Sequence, residues 1–184
     1  EREVLCLSLL ETGEQRIQRH AGALGEHLVA LLLRAERGDL TRLAFVVDDL
    51  TDLEQFSDID GLQVPDAPLY LVHDIDRGDD LRNWSPNEAL PELTARDRTP
   101  LTLNEGISWL LQEPKHLEPG SCFMTIGTRK RMPKGLDTRT PALWISGGTG
   151  RDGKERKGAP KVGWCWAGNR HTWLGFASAT GRSA

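Results

Sequence analysis

Residues 160–176 read Pro-Lys-Val-Gly-Trp-Cys-Trp-Ala-Gly-Asn-Arg-His-Thr-Trp-Leu-Gly-Phe. Large apolar and small or polar residues alternate on both sides of Ala167-Gly168-Asn169-Arg170. That pattern predicts a β-hairpin with Gly168 and Asn169 at the centre of a two-residue turn, where both tolerate a positive φ. The predicted register sets Trp166 opposite His171, Cys165 opposite Thr172 and Trp164 opposite Trp173. Val162, Trp164, Trp166, His171, Trp173 and Gly175 then share one face, and Gly163, Cys165, Thr172, Leu174 and Phe176 the other. Three of the six tryptophans gather on one patch with an imidazole. Two readings stand side by side: indoles that only fill a core, and indoles that make a flat wall for a ring or a sugar.

The same period of two runs through the C-terminal part. Cys122–Ile126, Ala142–Ser146, Val162–Trp166 and His171–Phe176 predict a four-stranded antiparallel meander. Two basic, Gly/Pro-bearing loops join its strands, over 128–140 and 147–160, and the tail 178–184 reads as frayed. Upstream the period is that of helices. Ile17, Ala21, Leu24, Leu28, Leu31, Leu32 and Ala35 predict a helix over 14–37, stopped at Gly38-Asp39. Leu43–Val47 and Leu69–Val72 predict two short buried strands. Ser85-Pro86-Asn87-Glu88 is a helix start, with Ser as N-cap, Pro at the first position and Glu at the third. Thr102-Leu103-Asn104-Glu105 repeats that logic, and Pro114 limits the second helix. The predicted fold class is α+β: an N-terminal helix, two short strands and a helical pair packed on the four-stranded antiparallel C-terminal meander, with the helices on one side of one sheet. Residues 1–60 form an N-terminal helical and acidic segment and 61–184 the α+β core, expected to make one compact unit.

At 184 residues and 20.4 kDa, the chain is long enough for a single ordinary domain. Its longest apolar run, Leu28–Leu33, is far short of the roughly 20 residues a membrane crossing needs. It opens Glu1-Arg2-Glu3 without a basic-then-apolar leader, so no signal peptide is expected. Three scattered cysteines, Cys6, Cys122 and Cys165, make no disulfide framework and point to a reducing, cytoplasmic setting. Residues 1–120 hold 11 basic and 24 acidic side chains, a balance of −13, whereas 121–184 hold 12 and 3, a balance of +9. The acidic part is densest at Asp48, Asp49, Asp52, Glu54, Asp58 and Asp60. Such a division suits a polyanion-binding face or, in the plainer reading preferred here, two halves that neutralise each other.

Several motifs exclude more than they include. Gly148-Thr-Gly-Arg-Asp-Gly-Lys154 has the spacing of a phosphate loop, but Glu155 stands where the Mg²⁺-binding hydroxyl belongs and no helix follows. Asp74, Asp76, Asp79 and Asp80 are weak candidates for a metal, since their spacing fails that of a calcium loop and caps or arginine pairs account for them. Cys165 and His171 fall on opposite faces of the predicted hairpin, which argues against a nucleophilic pair. No close Cys/His spacing marks a structural zinc. Tryptophans among basic residues invite a nucleic-acid reading, but the chain is acidic, with pI near 5.8, and lacks the RNA-binding sheet signature.

Long strings carry a resemblance. Val64-Pro-Asp-Ala-Pro-Leu-Tyr-Leu-Val-His-Asp-Ile-Asp-Arg-Gly-Asp79, Ser85-Pro-Asn-Glu-Ala-Leu-Pro91, Arg98-Thr-Pro-Leu-Thr102, Cys122-Phe-Met-Thr-Ile-Gly127, Pro141-Ala-Leu-Trp-Ile-Ser146 and Pro160 through Gly175 resemble an uncharacterised actinobacterial family, a domain of unknown function, over roughly 64–182. The resemblance implies no activity and no catalytic residues, so function rests on the residues. The leading expectation is a cytoplasmic protein that binds a small, ring-containing, anionic ligand. Trp164, Trp166 and Trp173 form the wall, His171 and Asn169 orient the ligand, and Arg129, Arg131 and Lys154 supply charge. The alternatives are an enzyme using His73, Asp74, Asp76 and His171 as acid–base groups, and a protein–protein module that uses the tryptophan face. No cofactor is implied.

Overall fold

The structure, a computed structural model, describes residues 3–7, 44–67 and 69–184. The helix predicted over 14–37 lies outside the described residues. In chain order the strands are β1 (Glu3–Leu7), β2 (Phe45–Val46), β3 (Phe56–Asp58), β4 (Leu69–His73), β5 (Thr99–Pro100), β6 (Cys122–Met124), β7 (Thr128–Lys130), β8 (Arg139–Ile145), β9 (Pro160–Trp166), β10 (Leu174–Phe176), β11 (Ser178–Ala179) and β12 (Gly181–Ser183). Two α-helices, α1 (Pro86–Ala95) and α2 (Leu103–Gln112), lie between β4 and β6. No helix among the described residues is long and apolar enough to cross a membrane.

Both helices start as their sequences dictate. Ser85 and Glu88 close a capping box on α1, and Thr102 and Glu105 close one on α2, each hydroxyl accepting from the third backbone N–H.

The main sheet has the order β10-β6-β8-β9-β2. Strands β6, β8 and β9 form the antiparallel meander that alternation predicts. The fourth strand does not. β10 crosses the molecule and pairs in parallel with β6, at the far edge from β9. The predicted hairpin, with Trp164 opposite Trp173, is therefore overturned. Neither Gly168 nor Asn169 takes a positive φ, and the chain turns one residue earlier, at Ala167-Gly168, where Asn169 donates to the Trp166 carbonyl at 3.0 Å, without entering a hairpin. The connection is instead captured by other elements. The Ala167 carbonyl accepts from Asn87, and the His171 carbonyl accepts from Asn83.

The sheet is covered on both faces, not one. Cys122, Met124, Ala142, Leu174 and Phe176 meet Leu81 and the Ala89 and Leu93 of α1. Phe123, Leu143 and Val162 meet Ile107, Trp109 and Leu110 of α2 on the other side. Consecutive apolar residues, as in Cys-Phe-Met and Ala-Leu-Trp, are the mark of a strand buried on both faces. Gly106 lets α2 approach: a Cβ there would lie 2.7 Å from Thr125 Cγ2. Beyond α2, a second sheet of order β1-β4-β12 adds Tyr70 and Val72 to the same core. α2 is thus enclosed between two sheets.

The tail is not frayed. β11 pairs with β5, and β12 pairs with β4 opposite β1. Arg182 of β12 reaches Glu105, whose side chain is fully buried, and donates to Oε2 at 2.7 Å and from Nε to Oε1. Tyr70 donates to the same carboxylate at 3.1 Å. The remaining guanidinium donors go to Thr99 Oγ1 and the Pro100 carbonyl.

The acidic and basic halves fold against each other, as the plainer reading of the charge division expects. Asp52 accepts from Arg139 at 2.7 and 2.6 Å and from Lys130 at 2.7 Å. Asp60 pairs with Arg131, Asp49 with Arg151 and Asp48 with Arg156. Strand β3 joins β7 along this seam.

Arg182→Ala strands a buried carboxylate and is expected to cost about 3–5 kcal/mol in chemical denaturation. Arg131→Ala, which breaks an exposed pair, is expected to leave the denaturation midpoint nearly unchanged. The Asp52 carboxyl is held well below the usual carboxylate range, first by Arg139 and then by Lys130. Its contribution is complete above the unfolded-state value of about 3.9 and fades as pH falls toward the folded value. Asp52→Asn is expected to lower stability at pH 7 and to flatten the loss of stability on acidification, read from denaturation midpoints between pH 2 and 7.

Candidate functional site

Strand β9 has two unlike edges. β8 pairs with its whole length, from Ile145–Pro160 to Arg139–Trp166. β2 pairs in parallel only at Lys161 and Val162, after which Val47 donates to the Val162 carbonyl at 2.9 Å. The chain then turns away at Asp48-Asp49. Gly163–Trp166 therefore has no strand neighbour on that side among the described residues.

A cleft of about 520 Å³ opens at this edge. Trp164 and Trp166 line it with ring centroids 4.5 Å apart and planes at 73°. Trp144 also lines it and lies over Gly163, where a Cβ would come within 2.6 Å of the indole. Glycine at this strand position is the space the ring needs. Lys161 Nζ sits 4.4 Å from the centre of the same ring, a cation–π contact.

The third side of the cleft is the loop between β8 and β9, anchored by Asp152. Lys161 Nζ donates to both Asp152 oxygens, at 2.9 and 2.7 Å, and Ser146 Oγ donates at 2.6 Å. The backbone N–H of Gly148 in turn reaches Ser146 Oγ at 3.1 Å. Burial opposes the ionised form of Asp152, but the bonds from Lys161 and Ser146 prevail and hold its carboxyl below the ordinary value. At the rim, Asp49 accepts from Trp164 Nε1 at 3.3 Å and from Arg151. Asp48 accepts from Arg156 at 3.0 Å, and that guanidinium covers the Phe45 ring at 4.5 Å. Burial pushes the Cys165 thiol up to about 11, so this lining residue carries a protonated thiol. Burial also pushes the His171 imidazole below its usual value, so it is neutral at pH 7 and offers one donor and one acceptor.

The cleft gathers Trp164, Trp166, Asn169 and His171 among the expected site residues. Trp173 does not line it. Its ring stands edge-on to Trp144 at 6.2 Å and 5.0 Å from His171, and it is partly exposed. The expected cations lie elsewhere. Arg129 is buried within β7 and donates to the Asp137 carbonyl, Arg131 is bound to Asp60, and Lys154 is exposed on a short turn outside the cleft lining. Arg151, Arg156 and Lys161 take their place. The pattern of basic residues does not reveal which of them face inward. The useful signal is the acidic Asp152 among them, because it draws Lys161 and folds the loop back.

The acidic turn after β4 is structural. Asp74 pairs with Arg98 at 3.2 Å, Asp76 accepts from the Gly78 backbone, Asp79 holds Arg77 and Arg82, and Asp80 holds Arg96. Gly78, at φ +72, rests on Phe176 of β10, where a Cβ would meet the carbonyl. Among the described residues no three His, Cys, Asp or Glu side chains come together as metal ligands. His73 bonds Ser183 Oγ at 2.6 Å, and His73, Asp74 and Asp76 are absent from the cleft that His171 lines.

A family model described as a family of unknown function (DUF5701) matches residues 18–184. The chain belongs to that family. No curated protein and no solved structure matches it. The DUF5701 match begins well upstream of residue 64 and so includes the acidic stretch that rims the cleft.

Lys161→Met in this DUF5701 chain leaves Asp152 buried without its cation. Amide exchange over residues 147–158 is expected to accelerate, and stability to fall by about 3–5 kcal/mol. Adding Asp152→Asn to Lys161→Met is expected to restore part of that loss, since an uncharged amide is cheaper to bury than an unpaired carboxylate.

Proposed function

We propose that this chain is a binding protein for a small, ring-containing ligand, taken up on the tryptophan wall of the cleft beside β9. The observation that carries the reading is Trp166, whose side chain is 47% exposed next to Trp164 in a concavity edged by polar groups. An open indole in a concave, part-polar setting suits a ring better than a flat docking partner. An anionic ligand gains less support than the composition of the loops suggests. Each cation of the lining sits on a carboxylate: Arg151 on Asp49, Arg156 on Asp48 and Lys161 on Asp152.

Binding is favoured over acid–base catalysis because, of His73, Asp74, Asp76 and His171, the cleft holds His171 alone. The thiols of Cys122 and Cys165 are both free, which supports the reducing, cytoplasmic setting that the cysteine count suggests.

Intrinsic tryptophan fluorescence, titrated with methyl glucoside, glucose 6-phosphate, AMP and indole-3-acetate, tests the reading. A saturable change is expected with at least one compound. Trp166→Ala, at an exposed position, is expected to keep its thermal midpoint and to weaken that binding about tenfold or more, roughly 1.4 kcal/mol. No saturable response to any of them, or a response that Trp166→Ala leaves intact, removes the reading.

A further inference from the structure

Resting on that reading, we infer that the ring this cleft takes is saturated and hydroxylated: a neutral sugar, not a flat aromatic anion. The first ground is shape. A flat aromatic ring gains most from a slot between two parallel walls. Trp164 and Trp166 stand nearly perpendicular, at 73°, and so make a corner with an indole face on one side and an indole edge on the other. A pyranose chair suits a corner. Its C–H face rests on the negative π-face of one indole, and its hydroxyls project sideways from that contact.

The second ground is charge. The ionised side chains lining the cleft are Asp48, Asp49 and Asp152 against Arg151, Arg156 and Lys161, and they are already paired. An anion entering there meets three carboxylates, and it gains an arginine only by displacing one of them. A hydroxyl makes no such demand, because it donates and accepts at once. It can donate to a spare lone pair of Asp49, whose carboxylate Trp164 Nε1 and Arg151 already hold in place, and accept from the neighbouring guanidinium.

The third ground is the chemistry of the other polar groups. Asn169 and His171 line the cleft, one an amide and the other a neutral imidazole. Each offers both a donor and an acceptor. The open edge of β9 adds the same mixture. Ala167 donates to the carbonyl of Thr138, just before β8, and the Val162 carbonyl turns the other way to accept from Val47. The same alternation turns the N–H and C=O of Trp164 toward the side where no strand follows. A rim of mixed donors and acceptors around an aromatic floor matches the mixed hydroxyls of a sugar, and a carboxylate or phosphate uses only its donors.

Saturation-transfer NMR on the full chain tests this, with intrinsic fluorescence in parallel. The neutral probes are the methyl glycosides of glucose, galactose, mannose and N-acetylglucosamine, with cellobiose and lactose. The anionic aromatic probes are AMP and indole-3-acetate. Saturable transfer to the ring C–H protons of at least one neutral sugar is expected. Trp166→Ala and Asp49→Asn are each expected to weaken it at least tenfold, with thermal midpoints showing that both variants stay folded. Saturable binding of AMP or indole-3-acetate with no neutral sugar bound overturns the sugar assignment and leaves the cleft a ligand site. Binding of no probe overturns both readings. Sugar binding unchanged in both variants shows a different site and overturns the assignment to this cleft.

Discussion

Glu105 carries a charge that no water reaches, and much of the architecture is the means of satisfying it. One of its oxygens closes the capping box that starts α2, and the same carboxylate receives Tyr70 from β4 and Arg182 from β12. A carboxylate so enclosed is tolerable only with several donors and a cation around it. Helix, sheet and tail are thereby tied at one point. The position of α2 follows, and with it the backing of Phe123, Leu143 and Val162 on one face of the main sheet. The cleft sits at the end of that sheet, so its floor is only as fixed as α2 beneath it.

Charge does a second job at the seam between the two halves. Asp52 receives Arg139 and Lys130, and Asp48 and Asp49 receive Arg156 and Arg151. These contacts hold the chain after β2 against the β8–β9 loop. The uneven division of charge along the sequence thus serves, at this seam, as an internal complementarity. It also explains why the cleft is charged yet balanced. Its rim is part of the seam.

What could be read from the sequence was what local rules decide. Ser85-Pro-Asn-Glu88 and Thr102-Leu-Asn-Glu105 state their helix starts within four residues, and both capping boxes form. The strands Cys122–Met124, Arg139–Ile145 and Pro160–Trp166 lie side by side in chain order, as strands that follow one another in sequence commonly do. Gly168-Asn169 misled because turn chemistry only permits a hairpin. The outcome rests on where Leu174 and Phe176 find a buried face, and that face is beside β6, over the Gly78 turn. The tail looked frayed for a similar reason: Arg182 has no visible partner until Glu105, 77 residues away, is seen to be buried. For the cleft, Trp164, Trp166, Asn169 and His171 were legible as an aromatic and polar cluster, although the geometry that joins them differs from the one predicted. Arg129, Arg131 and Lys154 were not separable from Arg151, Arg156 and Lys161 by charge alone, because orientation depends on partners such as Asp60, Asp49, Asp48 and Asp152 that only the fold brings near.

The 77 residues between Glu105 and Arg182 also set a clock for synthesis. A chain leaving the ribosome exposes Glu105 and its helix long before Arg182, the cation that meets that carboxylate among the described residues, has been made. Until then α2 cannot settle between the two sheets without leaving a bare charge in the interior. Closure of the interior around Glu105 therefore waits for a residue made 77 positions later, which makes it a late event in the assembly of each molecule.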